Sequence, residues 1–253
     1  MLQNYSLWQI LLICAGVFLA SVIDAIGGGG GLISLPAYLL AGLPAHNAIA
    51  TNKLSSSIGT TASTYRYIRR GYSSWWLAVP AVALAIAGAH LGAKLQLAIN
   101  EKYSGYILIV VLVIVAAVML KDKDFTFDGR IDPRLKAAIV WAFSFVVGIY
   151  DGFYGPGTGT FLLMAYCKLA KMDLNEASAT VKIVNLSFNV GALLTLYNAG
   201  KVIVPLGLLA AGFAFLGQYL GAGLMLKNGK RIVRPVIFTV LALLAFKVLS
   251  EMF

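Results

Sequence analysis

Residues 50–53 read Ala-Thr-Asn-Lys and residues 179–182 read Ala-Thr-Val-Lys, one string returning after 129 positions. Outward from it, Gly71 meets Gly200 at the same shift, and Gly88-x-x-Leu91-Gly92-Ala93 returns as Gly217-x-x-Leu220-Gly221-Ala222. Upstream, the cluster Gly27 to Gly31 aligns with Gly155-Pro156-Gly157-Thr158-Gly159 at a shift of 128, and Asp24 aligns with Asp151 at 127. Gly and Ala matches are cheap in apolar helices, but one shift shared by Thr, Lys and three Gly positions is not. The chain is two copies of one unit, the organisation of many membrane folds built from internal repeats.

Composition fixes the solvent. Of 253 residues, 60% are hydrophobic and 12% charged, with a mean hydropathy of +0.84. A water-soluble domain carries about 25% charged residues, so a soluble globule is excluded, and the apolar content excludes disorder. The net charge of +10 comes without a basic run interleaved with aromatics, so nucleic acid is not an expected partner. Cys14 and Cys167 lie in apolar stretches outside any ligand spacing and read as small core residues.

A spanning helix needs about 20 mostly apolar residues. Five segments fall in each half: 7–26, 31–43, 47–65, 74–98 and 103–120, then 137–153, 158–170, 177–198, 203–226 and 233–250. The expected fold is therefore an all-α integral membrane protein. It has a first repeat at 1–120, a cytoplasmic linker at 121–136 and a second repeat at 137–253. The first 26 residues lack the basic start of a secretory signal and have a counterpart at 137–153, so they read as a mature helix. The second segment of each half is short and opens at a glycine cluster that breaks the helix, so it reads as a half-helix.

Lysine and arginine set the orientation. Five crossings per half put 14 of the 20 on one side, 4 on the other, and leave Lys53 and Lys182 within the membrane; four crossings per half give 10 against 8. The odd count predicts two inverted repeats, a cytoplasmic linker and both termini outside, with the bacterial inner membrane as location.

Intramembrane ionisable groups mark function. Lys53 and Lys182 are repeat equivalents followed by small polar residues: Ser55, Ser56, Ser57 and Thr60 after the first, Asn185, Ser187 and Asn189 after the second. Ammonium groups, hydroxyls, amides and half-helix N-termini all favour an anion. The alternative is a pair of lysines that snorkel towards the headgroups. The expected substrate contacts are Lys53, Lys182, Thr51, Asn52 and Asn185, with Gly29, Gly30 and Gly31 at one break and Gly157, Thr158, Gly159 and Thr160 at the other. Asp24 and Asp151 precede the breaks and read either as proton carriers or as lysine partners. His46 and His90 have no ligand-spaced partners, so no metal and no cofactor is expected.

Three elements together, Gly27 to Gly31 with Pro36, Ala50-Thr51-Asn52-Lys53 and Gly155-Pro156-Gly157-Thr158-Gly159, resemble the TauE/SafE membrane proteins over nearly the whole chain. The resemblance implies a permease, not an enzyme, with sulfite, sulfonates or related small organic anions as proposed substrates. One departure matters: Val181 stands where the first copy has Asn52, so the copies are chemically unequal.

The leading expectation is a secondary transporter for a small anion, possible proton coupling included. An anion channel is the second reading; one chain lacks a ring of like side chains, which a homodimer would supply. An intramembrane aspartyl protease is the third, and it needs Asp24 and Asp151 close enough to share a proton.

Overall fold

The computed structural model describes residues 5–100, 103, 107 and 131–228. The fifth segment of the second half and nearly all of the fifth segment of the first lie outside the described residues, as does most of the linker. The described residues form helices α1 Leu7–Gly27, α2 Gly31–Leu40, α3 Ala45–Arg69 and α4 Trp75–Ala98, then α5 Pro133–Phe153, α6 Thr158–Lys168, α7 Leu174–Asn198 and α8 Val204–Asn228. No strand occurs among them. Five of these helices, α1, α4, α5, α7 and α8, are long and apolar enough to cross a membrane. Helix α3 is as long as α7, at 25 residues, but its serines, threonines and cations keep it out of that set.

Helix starts follow local capping. Ser6 accepts from Gln9 N while the Gln9 side chain accepts from Ser6 N, a reciprocal cap. Helix α5 begins four residues before its apolar run, inside the expected linker, because Asp132 accepts from Arg134 N at 2.8 Å and Pro133 occupies the first turn. Helices α2 and α6 have 10 and 11 residues. They rise only about 15 Å at 1.5 Å per residue, so each is a half-helix, as the glycine breaks imply.

Contacts fix the directions. The Gln9 amide donates to Ala41 O at 2.9 Å, so α2 runs back alongside α1 and the loop after it returns to the N-terminal end of α1. A Cβ on Gly88 or Gly92 would strike Phe145 O or Ile149 O, and one on Gly217 or Gly221 would strike Phe18 O or Val22 O. The repeated glycine string thus does one job twice: it seats the fourth helix of each half, in parallel, against the first helix of the other half. Small residues allow this approach, on which helix association in lipid depends. Helices α3 and α7 run antiparallel, since Asn47 donates to Lys201 O at 2.8 Å near one end and Thr64 to Lys182 O at 3.1 Å towards the other.

Two helix groups result. One packs α1, α2, α3 and α8, the other α4, α5, α6 and α7, so the first three helices of each half pack with the fourth helix of the other half. Helices α3 and α7 pack between the groups. Leu11, Leu19, Val79, Leu208 and Leu216 point outward, and Trp8, Trp75 and Trp76 stand exposed at helix starts, the placement of interfacial aromatics in a bilayer. Cys14 and Cys167 are buried.

Candidate functional site

The glycine breaks meet each other. Gly28 has φ +79°, and a Cβ there would lie 2.4 Å from Thr160 N. The Thr160 hydroxyl donates to Gly27 O at 2.8 Å, tying one break to the other. Only glycine permits both the left-handed backbone and the contact.

Around this crossing lie four charges that the fold pairs crosswise. Lys53 on α3 donates to Asp151 Oδ2 on α5, with side chains 4% and 3% exposed. Lys182 on α7 donates to Asp24 Oδ2 on α1 at 3.1 Å and also to the Asp24 carbonyl. Each ion pair therefore joins the two helix groups, and each joins the two repeats. The lysines do not snorkel; they are buried against carboxylates.

Both carboxylates also hold a half-helix. Asp24 Oδ1 accepts from Gly30 N at 3.3 Å at the start of α2, and Asp151 Oδ1 accepts from the Thr158 hydroxyl at 2.9 Å at the start of α6. The N-termini expected to meet an anion thus meet protein carboxylates, and the lysines bring no net charge to the centre. The two carboxylates engage different lysines, not each other, which is unlike the shared-proton dyad of an aspartyl protease.

One cavity of about 40 Å³, counted as space open to water centres, lies at this junction. Several water molecules fit it, since one needs about 10–15 Å³ on this measure. Of the expected contacts, Lys53, Asn52, Gly30, Gly31, Thr158 and Asn185 line it, as do Asp24 and Asp151. Lys182 and Gly159 line a second hollow of only about 10 Å³ beside Val181 and Leu163. Thr51 accepts from Ile203 N at 3.1 Å, so it anchors the approach to α8. Thr160 fastens the two breaks together. Gly29 and Gly157, with φ +87° and +82°, shape the turns.

Both copies build the cavity, Asn52 and Lys53 from the first and Asn185 and Gln218 from the second. Its wall includes Ser21, Ser34, Asn52 and Gln218, whose repeat equivalents are Gly148, Leu162, Val181 and Ala89. The two lysines therefore sit in unlike surroundings, Lys53 on the larger polar cavity and Lys182 beside a small, mostly apolar hollow. Gln218 is the cavity residue that sequence reasoning missed. The signal was a lone amide in an apolar helix, one position after the repeat glycine Gly217. Its Nε2 donates to Asp24 Oδ2 at 2.7 Å.

Among the described residues no group of three His, Cys, Asp or Glu is placed to hold a metal. His46 is buried, and the His90 ring bonds the Thr195 hydroxyl at 2.7 Å.

Apolar crossing helices, paired half-helices broken at glycines and buried ion pairs beside a polar cavity define a multi-pass membrane protein with the anatomy of a transporter. Comparison with known proteins agrees. A family model described as Sulfite exporter TauE/SafE matches residues 12–248. A probable membrane transporter protein, ORF9, of Sinorhizobium sp. is 32% identical over 255 residues, covering 99% of this chain and 96% of that protein. The probable membrane transporter protein YfcA of Escherichia coli K12 is 33% identical over 233 residues, 92% of this chain and 87% of its own. A probable membrane transporter protein of Haemophilus influenzae is 31% identical over 232 residues, 90% of this chain and 89% of its own. The chain belongs to the TauE/SafE family of membrane transporters. No solved structure matches it.

Proposed function

We propose that the protein is a proton-coupled secondary transporter of a small anion such as sulfite, a sulfonate or a related organic acid, and that the anion binds at Lys53. The observation that carries this reading is the buried Lys53–Asp151 pair on the wall of the polar cavity. Asp151 is a built-in anion occupying the lysine and the start of α6. A proton on Asp151 weakens its hold on Lys53 and releases donors that a substrate anion then takes. Proton and anion enter together, so a singly charged anion crosses without net charge.

Two inverted repeats, 1–120 and 137–253, supply the alternation. The antiparallel α3 and α7, and the packing matched by exchange of the halves, support that architecture. The moving bodies in this reading are the two mixed helix groups, not the repeats themselves, because the fourth helices are exchanged. Both ion pairs cross between the groups, so breaking and remaking them accompanies the motion. The basic side, with the 121–136 linker, faces the cytoplasm of the inner membrane, and both termini face outward.

The test is uptake of radiolabelled sulfite and of small sulfonates into proteoliposomes under an imposed pH gradient. Saturable uptake that a protonophore collapses, and that falls at least tenfold in folded Lys53→Ala protein, is the expected result. Uptake undiminished in that variant overturns the assignment. Flux that does not saturate, far above carrier rates, points to a channel.

A further inference from the structure

The two ion pairs differ in how firmly the protein holds each carboxylate. Asp24 accepts from three donors: Lys182 Nζ at 3.1 Å, Gln218 Nε2 at 2.7 Å and Gly30 N at 3.3 Å. Asp151 accepts from two, Lys53 Nζ and the Thr158 hydroxyl at 2.9 Å, and that hydroxyl is shared with Gly155 O at 3.0 Å. The difference traces to one position of the repeat. Gln218 stands on α8 where α4 has Ala89, and Ala89 packs against Gly152, the neighbour of Asp151. A methyl side chain donates nothing, so Asp151 lacks the amide that Asp24 has.

Hydrogen bonds to a carboxylate are charge-assisted and weaken when it takes a proton. Neutralising Asp24 weakens three of them. Neutralising Asp151 weakens two, and the Thr158 hydroxyl then turns wholly to Gly155 O. Asp24 is also the more hydrated, its side chain 15% exposed against 3% for Asp151, and hydration favours the charged form. The other charges nearby do not reverse this order. Lys182 on α7 reaches Asp24 directly, while Lys53 on α3 and Asp151 on α5 line the same cavity. Helix α2 has no charged residue, and α6 and α8 have only Lys168 and Lys227, each in the last turn. Around Asp151, the α4 residues His90 and Lys94 are exposed, and Glu176 on α7 is held by Lys136.

We propose that Gln218 is a positioning residue that keeps Asp24 ionised, which leaves Asp151 as the single proton carrier of the two repeat-equivalent aspartates. The inference rests on the proton-coupled reading and assigns its stoichiometry, one proton with each anion. Asp24 then serves as a fixed counter-ion for Lys182. Without the amide, Asp24 has Lys182 and Gly30 as donors, the same number that Asp151 has, and it becomes a second carrier.

Charge movement tests it. Methanesulfonate stays singly charged throughout, so its uptake with one proton is electroneutral and with two carries a net positive charge. Initial rates are measured in proteoliposomes of the full-length protein under an inward proton gradient, with the membrane potential set by potassium and valinomycin. In the wild-type protein an inside-negative potential is expected to change the rate by less than about 1.5-fold, whereas in Gln218→Met it should speed uptake at acidic external pH by about threefold or more. Asp24→Asn is expected to keep the wild-type pH profile, whatever its rate. Wild-type uptake speeded by the inside-negative potential overturns the single carrier, as does loss of the pH profile in Asp24→Asn. Gln218→Met uptake as indifferent to potential as the wild type overturns the role of the amide. Wild-type uptake that ignores the proton gradient, or that an inside-positive potential speeds, overturns the proton-coupled reading itself. Where Gln218→Met does not fold, the wild-type protein and Asp24→Asn decide the matter.

Discussion

Replacing Lys53 by alanine strands the Asp151 carboxylate in a site where its side chain is 3% exposed. Thr158 remains as its donor, and one hydroxyl does not balance a buried charge. Breaking a buried pair from one side costs about 3–5 kcal/mol. For a chain of this size, that corresponds to a fall in melting temperature of about 6 to 20 °C. Replacing both partners by apolar residues of similar volume, Lys53→Met with Asp151→Leu, removes the stranded charge, and the Thr158 hydroxyl keeps its bond to Gly155 O at 3.0 Å. Such replacements are close to neutral, so the double variant is expected to recover most of the loss. The second pair behaves differently. Asp24 is 15% exposed and keeps Gln218 and Gly30 as donors, so Lys182→Ala is expected to cost about 1–3 kcal/mol. Thermal unfolding in detergent, followed by intrinsic fluorescence, measures all four proteins. A double variant as unstable as Lys53→Ala alone would refute the argument, because the damage would then not come from an uncompensated charge.

Three further outcomes are expected. Asp151→Asn imitates the protonated carboxylate, so uptake of a small sulfonate, which stays singly charged throughout, should lose its rise towards acidic pH in this variant; an unchanged pH profile in flux assays counts against Asp151 as the proton carrier. Gly28→Ala should destabilise the protein severely, because its Cβ would sit 2.4 Å from Thr160 N, whereas Gly71→Ala, with open space around it at φ +73°, should cost only about 1–2 kcal/mol for the left-handed backbone; the comparison of melting temperatures checks this. A cysteine at Lys171 should react with an impermeant maleimide only after permeabilisation and one at Ala199 from outside, against a background made quiet by the burial of Cys14 and Cys167; the opposite pattern reverses the orientation.

Much of the architecture was legible because bilayer insertion reads composition directly. Apolar length, glycine breaks and the 129-residue shift located the eight described helices to within a few residues. The exception at α5 shows what an apolar count omits. Asp132 and Pro133 start that helix by capping and by a preset φ, not by hydrophobicity. The site was legible in part. Intramembrane charge singled out Lys53, Lys182, Asp24 and Asp151, since each is costly in lipid without a partner. The partners themselves were not readable, because Lys53 and Asp151 lie 98 positions apart, and Lys182 and Asp24 158.

The sequence by itself determined that this chain lives in a membrane, that its halves share one sequence pattern with helix-breaking glycines, and that four charges lie inside. Those conclusions depend on free energies of transfer and on helix-breaking residues, which act locally. Only the tertiary structure decided that the charges pair crosswise between the halves, that the fourth helices are exchanged, and that one lysine of an equivalent pair lines the larger polar cavity while the other lines a small, mostly apolar hollow. Pairing and cavity shape arise where helices remote in sequence meet. There, a few unlike side chains at equivalent positions set the size and polarity of the cavity.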